Sequence, residues 1–253
     1  MQFTDLIFDL YGTLVDIHTD ENDLVWEKTA YYFGYYGANY TGESLKAAFQ
    51  AEMAQREAVA GQNYEVYPDI PFDGVMADLF RAKGVTEHAD VLGLNAAQVF
   101  RIASTEYIRL YDGVMEALDT FRRYGFRLWL LSNAQRAFTA YELRLLGLDR
   151  QFNKVCLSSD YQCRKPDLRF YTALMEEQQL EPSQCLMIGN DRETDIAGAQ
   201  KAGLATLYMH TNLTPSHQAQ AKYGMLPSSS KHLKHFEYEG CDWPQLSHLI
   251  CKM

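Results

Sequence analysis

Apolar and polar residues are arranged in two different ways along this chain, and the change comes near residue 111. Beyond that point, short apolar runs take turns with segments whose apolar positions recur at helical spacing. The short runs predict strands over 126–131, 153–158, 184–189 and 204–208, and the segments between them predict helices over 134–146, 167–179 and 193–202. Strands that alternate with helices indicate a parallel sheet covered on both faces.

Residues 18–104 follow a mostly helical pattern. Apolar positions recur at helical spacing through Leu45–Ala60 and Val75–Lys83. The segment Asn63–Phe72 contains two prolines and is typical of a loop between helices. This region therefore predicts a helical insertion after a first strand.

The tail of the chain is less regular, with a predicted strand at His235–Glu239 and a short helix at Gln245–Lys252. Together these elements predict an α/β protein with two domains. Residues 1–16 and 105–253 form a core domain with a doubly wound parallel sheet, and residues 17–104 form an inserted α-helical cap domain.

Composition and charge narrow the range of partners. The chain has 253 residues, of which 47% are apolar and 22% are charged, as in an ordinary soluble globular protein. Its formal net charge of −10 argues against nucleic acid or an acidic membrane surface as a partner, because binding to a polyanion relies on Lys and Arg. A small anionic substrate would need local positive charge. Without a membrane-spanning run or an N-terminal signal, we expect a cytoplasmic monomer or homodimer.

The cysteine pattern does not indicate a disulfide framework or a zinc site. The five cysteines are Cys156, Cys163, Cys185, Cys241 and Cys251. Their number is odd and they lack the paired spacing of metal ligands. We expect reduced thiols.

The first candidate for chemistry is Asp9, which follows an apolar run at residues 6–8 and precedes a turn containing Gly12 and Thr13. Ligands bind at the ends of strands in open α/β sheets, so an Asp at this place is positioned for chemistry. A carboxylate can attack a phosphoryl group or an sp³ carbon and form a covalent intermediate. The alternative is an Asp that only caps the turn.

Two later segments also carry polar side chains where chemistry could use them. Ser132 and Asn133 follow an apolar strand and can hold the oxygens of a transferring group. Lys165 precedes Pro166 at a predicted helix start, where a fixed cation would offset negative charge. The alternatives are turn or cap residues for the first two and a solvated surface residue for the lysine.

The fourth segment in chain order carries two carboxylates. Asp191 and Asp195 lie four residues apart at the start of a predicted helix, so they fall on one face and lie near Asp9 if the strands are adjacent. Clustered carboxylates form a hard oxygen site that suits Mg²⁺. The alternative is an acidic pair that caps the positive end of the helix dipole.

These four segments, in this order, resemble the haloacid dehalogenase-like (HAD) superfamily of hydrolases. The resemblance covers roughly residues 1–16 and 105–240 and is specific as a set, and it implies a Rossmann-like core. It further implies that Asp9 is the nucleophile. The remaining residues of the implied catalytic set are Tyr11, Thr13, Ser132, Asn133 and Lys165.

The resemblance also implies Mg²⁺ as the cofactor. The candidate ligands are Asp9, Leu10, Tyr11, Asp191 and Asp195. The family usually has an Asp directly after the Gly of the last motif, and Asn190 stands there in this chain. We expect Asp191 to take over as ligand and Asp195 to support it through water or through Lys165.

Tyr11 is the main departure from the phosphatases of the family, which usually carry a second Asp there to protonate the leaving group and activate water. Tyr, with an ordinary pKa of about 10, is a poor base at neutral pH. The 2-haloacid dehalogenases of the family resemble this chain in having Tyr at that place, and Tyr171 six residues after Lys165 also fits them. Those enzymes need no metal, however, whereas the two carboxylates here argue for Mg²⁺ and phosphoryl chemistry.

Two features of the cap bear on the same choice. The dehalogenases use a cap Arg to receive the halide, and Arg56 is the candidate, although its sequence surroundings are typical of a surface helix. The aromatic segment Tyr31–Tyr36 either packs the core of the cap, which we favour, or forms an apolar ceiling over the site.

The leading hypothesis is a Mg²⁺-dependent phosphatase that acts on a small phosphorylated metabolite through an aspartyl-phosphate at Asp9. One alternative is a 2-haloacid dehalogenase in which Asp9 attacks the halogen-bearing carbon. Another is a weakly catalytic protein that binds a phosphorylated ligand. The sequence leaves these three functions open.

Overall fold

Six parallel strands form the central sheet of the computed structural model, which describes residues 3–60, 67–215 and 233–253. In chain order the strands of the protein are β1 (Asp5–Phe8), β2 (Val15–Thr19), β3 (Thr105–Leu110), β4 (Arg127–Ser132), β5 (Lys154–Leu157), β6 (Cys185–Gly189), β7 (Ala205–His210) and β8 (His235–Glu239). All but β2 and β3 belong to this sheet, in the order β5-β4-β1-β6-β7-β8. Because β1 lies between β4 and β6, the carboxyl ends of these three strands meet.

Helices cover both faces of the sheet. In chain order the helices are α1 (Asp23–Tyr35), α2 (Gly42–Ala60), α3 (Phe72–Ala82), α4 (Ala89–Ser104), α5 (Val114–Arg123), α6 (Arg136–Leu145), α7 (Ser158–Tyr161), α8 (Leu168–Gln178), α9 (Gly198–Lys201) and α10 (Trp243–Ile250). Leu6 and Phe8 pack into one buried apolar cluster, whereas Ile7 packs into a second. Burial on both faces explains the continuous apolar runs of the strands. The predicted doubly wound α/β fold with a helical insertion is confirmed.

Helices α1–α4 pack around an apolar core of their own. Phe33 stacks on Phe80 with ring centroids 4.0 Å apart. The aromatic segment 31–36 is divided between core and solvent, since Phe33 is buried whereas Tyr31 and Tyr35 are 75% and 83% exposed. We propose that these helices are the cap domain anticipated at residues 17–104.

An antiparallel ribbon of β2 and β3 connects this helical region to the sheet, and the sequence analysis missed it. Val15 pairs with Leu110 at one end, and Thr19 pairs with Thr105 at the other. The expectation that residues 18–104 are mostly helical is confirmed, with β2 extending into the first two residues of that range. β2 alternates apolar and polar residues whereas β3 does so only in part, and each is too short to stand out against the helical pattern around it.

Other element boundaries differ from the expectation by a few residues. The helix predicted at 193–202 is a π-helical turn at Arg192–Ala197 that α9 continues. The C-terminal helix begins at Trp243, because the Asp242 carboxylate caps it by accepting the Gln245 amide at 2.9 Å. Among the helices that the structure describes, none combines the length and the apolar character needed to cross a membrane.

The second half of the predicted loop Asn63–Phe72 lies along the core domain, whereas its first residues fall outside the described part of the chain. The Arg164 amide donates to the Tyr67 carbonyl at 2.9 Å, and the Asp69 amide donates to the Gln162 carbonyl at 3.2 Å. These backbone hydrogen bonds fasten the helical region to the segment before α8.

Candidate active site

The carboxyl ends of β1, β4 and β6 surround a cavity of about 280 Å³. Asp9 follows β1, Ser132 ends β4 and is followed by Asn133, and Asn190 and Asp191 follow β6. All five side chains line the cavity. The structure therefore brings together strand-end residues that are far apart in sequence, as the parallel sheet requires.

Lys165 lies between two carboxylates in this cavity. Its Nζ donates to Asp9 Oδ1 at 2.8 Å and to Asp195 Oδ1 at 2.5 Å. Burial alone would lower the pKa of Lys165, but the carboxylates of Asp195 and Asp9 outweigh it and raise the pKa. Burial raises the pKa of Asp195 to about 7, although Lys165 opposes this effect. Lys165 is therefore a fixed cation at neutral pH.

The turn after β1 sets the position of Asp9. The Leu10 carbonyl accepts the backbone amides of residues 13, 14 and 15. Gly12 has a φ of +82°, and a Cβ there would lie 2.3 Å from the Asn190 Nδ2. Thr13 Oγ1 donates to Asn190 Oδ1 at 3.3 Å and makes a long contact of 3.5 Å with Asp9 Oδ2. Glycine thus allows the turn to pack directly on the residue that follows β6.

The two residues after Asp9 were also predicted as metal ligands, and their side chains make other contacts. Leu10 is buried in the apolar core and its carbonyl already accepts three backbone amides, so it is not placed to bind a metal. Tyr11 lines the cavity, but its hydroxyl contacts Thr139 Oγ1 at 2.9 Å and donates to the Glu142 carboxylate. Burial raises the pKa of Tyr11 well above its usual value. The phenol therefore neither ligates a metal nor acts as a base here.

Ser132 and Asn133 use their side chains in different ways. Ser132 Oγ donates to Asp9 Oδ1 at 3.2 Å, which places a hydroxyl directly beside the candidate nucleophile. Asn133 Nδ2 donates to the Lys165 carbonyl at 3.0 Å, and its Oδ1 accepts the Lys165 amide at 2.8 Å. Asn133 thus holds the backbone of the lysine in place.

Asp191 caps the π-helical turn that begins at Arg192. Its Oδ1 accepts the backbone amides of Glu193 at 2.9 Å and Thr194 at 2.7 Å. Asp195 sits one turn later, and its Oδ2 accepts the Asp191 amide at 3.0 Å. The capping interpretation of the acidic pair holds for Asp191, which nevertheless also lines the cavity.

The oxygen donors at the cavity are chemically suited to Mg²⁺. They are the carboxylates of Asp9 and Asp191 and the amide of Asn190, and hard oxygen ligands of this kind suit the ion. Both Asp195 oxygens are already engaged, one by Lys165 and one by a backbone amide. Across the described ranges, no three His, Cys, Asp or Glu side chains are grouped so as to hold a metal. A cation in this cavity would have two carboxylates and one amide as its protein ligands, and these oxygen donors fit it.

Two residues weighed for the dehalogenase alternative lie outside the cavity. Arg56 Nε donates to Glu52 at 2.8 Å, and its guanidinium also pairs with Asp78, so it is held within the helical region. Tyr171 is fully buried and its hydroxyl donates to the Thr194 carbonyl. No residue of the aromatic segment 31–36 is among the described residues that line the cavity.

The sequence analysis missed three residues of the cavity wall, namely Thr194, Leu213 and Pro215. Leu213 and Pro215 belong to the loop after β7, which also ends at this edge of the sheet. The rule that ligands bind beyond strand ends could have identified this loop. Leu213 and Pro215 carry no polar side-chain group, so neither shows a local signal for chemistry.

Comparison with known proteins places these features in a family context. A model of the haloacid dehalogenase-like hydrolases matches residues 6–203. A phosphoglycolate phosphatase of Mesorhizobium japonicum is 27% identical over 216 residues, which are 84% of this chain and 85% of that protein. A glyceraldehyde 3-phosphate phosphatase of Methanothermobacter thermautotrophicus is 26% identical over 42% of this chain, which spans 47% of that protein.

Solved structures share the fold at lower identity. A phosphatase from Thermococcus onnurineus aligns over 98% of both chains, with a TM-score of 0.57 and 16% identity. A dehalogenase aligns over 99% of this chain and 98% of its own, with a TM-score of 0.57 and 19% identity. These likenesses concern the fold alone, and the same fold serves both chemistries.

Proposed function

The chain belongs to the haloacid dehalogenase-like hydrolase family, and from this premise we propose that it hydrolyses small phosphate monoesters through an aspartyl-phosphate at Asp9. The observation that carries the proposal is Lys165, which is buried and bonded to both Asp9 and Asp195 at the floor of the cavity. A fixed cation beside a carboxylate nucleophile offsets the charge of an incoming anion. The phosphatases among the relatives support the same chemistry.

The contacts of Asp9 distinguish its two oxygens. Oδ1 is held by Lys165 at 2.8 Å and by Ser132 at 3.2 Å, whereas among the described residues Oδ2 has only the long contact with Thr13. Oδ2 is therefore the oxygen that attacks phosphorus. The bond from phosphorus to the leaving oxygen breaks, and water then releases phosphate and restores the carboxylate. The hydroxyls of Ser132 and Thr13 lie where they can bind phosphoryl oxygens.

Mg²⁺ is the cofactor that this donor set supports. Asp9, Asp191 and Asn190 would hold the ion, and Asp195 would keep Lys165 in place. When bound, the ion supplies positive charge that neutralises the phosphoryl oxygens. Because Asn190 is neutral, the protein provides one negative charge less than a site with Asp there.

Tyr11 favours one further candidate function, the dehalogenase. Its hydroxyl points to Glu142 and Thr139, so the side chain provides a wall of the cavity and no proton acceptor. A dehalogenase would use Asp9 on a halogen-bearing carbon and would need no metal. The two functions differ in product and in their response to a chelator.

The test is hydrolysis of an aryl phosphate at pH 6–8 with Mg²⁺ or with EDTA, in parallel with chloride release from 2-chloropropionate. An aryl phosphate suits this site because its leaving group needs little help from a general acid. We expect phosphate release that EDTA abolishes and that Asp9→Asn reduces on the order of 10³-fold or more. The control Asp119→Asn, on the exposed face of α5, keeps full activity. Chloride release indifferent to EDTA would instead establish the dehalogenase.

A further inference from the structure

A buried polar cluster joins the helical region to the sheet beside the nucleophile loop. Arg101, near the end of α4, donates from Nε to Glu142 Oε1 at 2.6 Å and from Nη2 to Glu142 Oε2 at 3.2 Å. Glu142 lies on α6 and also accepts the hydroxyl of Tyr11, which contacts Thr139 as well. One ion pair therefore connects α4, α6 and the loop that carries Asp9.

The cluster is shielded from water. The side chains of Arg101 and Glu142 are 15% and 9% exposed, and Thr139 is fully buried. The Arg101 guanidinium lies 4.7 Å from the centre of the Phe138 ring and 5.4 Å from that of Tyr11. An ion pair in such surroundings is strongly coupled, because losing one partner leaves a buried charge unpaired.

Tyr11 connects this ion pair to the chemistry. It lies two residues after Asp9, lines the cavity and forms a backbone bridge with Val15, the first residue of β2. Arg101 stands at the exit of the helical region, where its carbonyl accepts the hydroxyl of Thr105 at 2.7 Å. Arg101 thus lies near the point where the chain leaves the helical region, and Tyr11 lies just before the strand that leads into it.

We propose that Arg101 and Glu142 are positioning residues of the reaction, which hold Tyr11 as a fixed wall of the cavity while keeping α4 docked on α6. The proposal rests on the proposed function for its kinetic consequence only. In this arrangement Tyr11 transmits the position of the helical region to the Asp9 loop. Proton transfer is not its role, since its hydroxyl is bound to Glu142.

The test variant replaces both charges with apolar side chains, Arg101→Met with Glu142→Leu. Replacing a buried ion pair by apolar residues of similar size usually preserves the fold, whereas Arg101→Met alone would leave Glu142 unpaired. The control is Arg136→Met with Asp160→Leu, an ion pair between α6 and α7 whose side chains are 50% and 29% exposed. Circular dichroism establishes that both variants are folded.

The expected result is a drop in kcat/KM for p-nitrophenyl phosphate between about tenfold and 100-fold, as for misplaced site residues, and mostly through a higher KM. The value of kcat changes less, because Asp9 and Lys165 keep their contacts. Amide hydrogen exchange rises in residues 10–15 and in the last turn of α4. The control variant leaves both measurements unchanged.

Rescue and coupling separate this role from a merely structural one. Arg101→Lys, which keeps the charge beside Glu142, raises KM less than the double variant does. Tyr11→Phe lowers kcat/KM in the wild type and has no further effect in the double variant.

Wild-type KM and wild-type exchange in the double variant would overturn the proposal. If the wild type releases no phosphate, the proposed function fails, and the positioning role is then tested by amide hydrogen exchange in residues 10–15 alone. A rise in exchange confined to the double variant supports the positioning role. No rise overturns it.

Discussion

Lys165 is the residue on which the electrostatics of the site depend. Its side chain is 1% exposed, and its ammonium group pairs with two carboxylates that are themselves buried. Its backbone is held from the other side by Asn133. The lysine therefore stabilises the fold as well as the charge of the cavity, and stability and chemistry can be measured on the same variant.

Replacing this cation should be costly even without substrate. We expect Lys165→Met to lower the free energy of unfolding by about 3–5 kcal/mol, because Asp9 and Asp195 are left buried and unpaired. Urea unfolding followed by circular dichroism measures the change. Lys154→Met is the control, since its pair with Glu177 is 41% exposed on each side and should contribute less than about 1 kcal/mol. Equal losses in the two variants would contradict this account of Lys165.

The neighbouring pair Asn190 and Asp191 provides a second comparison of single residues. We expect Asp191→Asn to weaken Mg²⁺ binding by about tenfold or more, and to weaken it more than Asn190→Ala does, because only the first change removes a negative charge. Isothermal titration with Mg²⁺ in the absence of substrate measures both. A larger loss in Asn190→Ala would assign the main ligand to the amide.

At the scale of elements, the turn after β1 is where backbone conformation and site meet. Gly12 combines a left-handed φ with close packing against Asn190, so two separate costs apply to any side chain there. A left-handed backbone costs a residue with a Cβ roughly 1–2 kcal/mol. The close contact with Asn190 adds a second cost at this position.

A matched glycine separates the two costs. Gly84 has nearly the same φ, +81°, but a Cβ there would meet nothing within 4 Å. We expect Gly84→Ala to lose about 1–2 kcal/mol of unfolding free energy, and Gly12→Ala to lose more and also to lose hydrolytic activity. Thermal unfolding and the aryl phosphate assay measure the two effects. Equal stability losses with full activity in both would show that the turn tolerates a side chain.

At the scale of elements, some parts of the site and the fold could be predicted from the sequence and others could not. Asp9, Ser132 and Asp191 were predictable because each follows a local apolar run, and the parallel sheet then brings the strand ends together. The partners of Tyr11 were not, since Glu142 and Arg101 lie on helices distant in sequence and carry no local signal. The β2–β3 ribbon was missed because short pairing strands depend on a partner far along the chain.

For the whole molecule, the ribbon also contains a charged contact that makes stability depend on pH. Burial alone would raise the pKa of Asp16, but hydrogen bonds from Asn212 and Arg109 lower it below its usual value. A lowered pKa in the folded state means that folding favours the charged carboxylate. This contribution is complete above the unfolded pKa of about 3.9 and disappears as the pH falls through the lower folded value.

We therefore expect stability to decline below about pH 4, and to decline less steeply in Asp16→Asn. Urea unfolding between pH 3 and 7 measures both slopes. Asp119→Asn serves as the control, because that carboxylate is 61% exposed and pairs with Arg122 on the same helix. The same acid slope in Asp16→Asn as in the wild type would mean that other carboxylates dominate acid unfolding.

The ribbon brings the two ends of the helical region together. Thr19 and Thr105 face each other at its outer end, so the chain leaves the sheet domain and returns to it at one point. A tight turn of about two residues is enough to close such a pair of strands. Excision or replacement of the intervening helices thus leaves the connectivity of the sheet untouched. A replacement module would need its own counterparts to Arg101 and to the segment 67–71 that contacts the core.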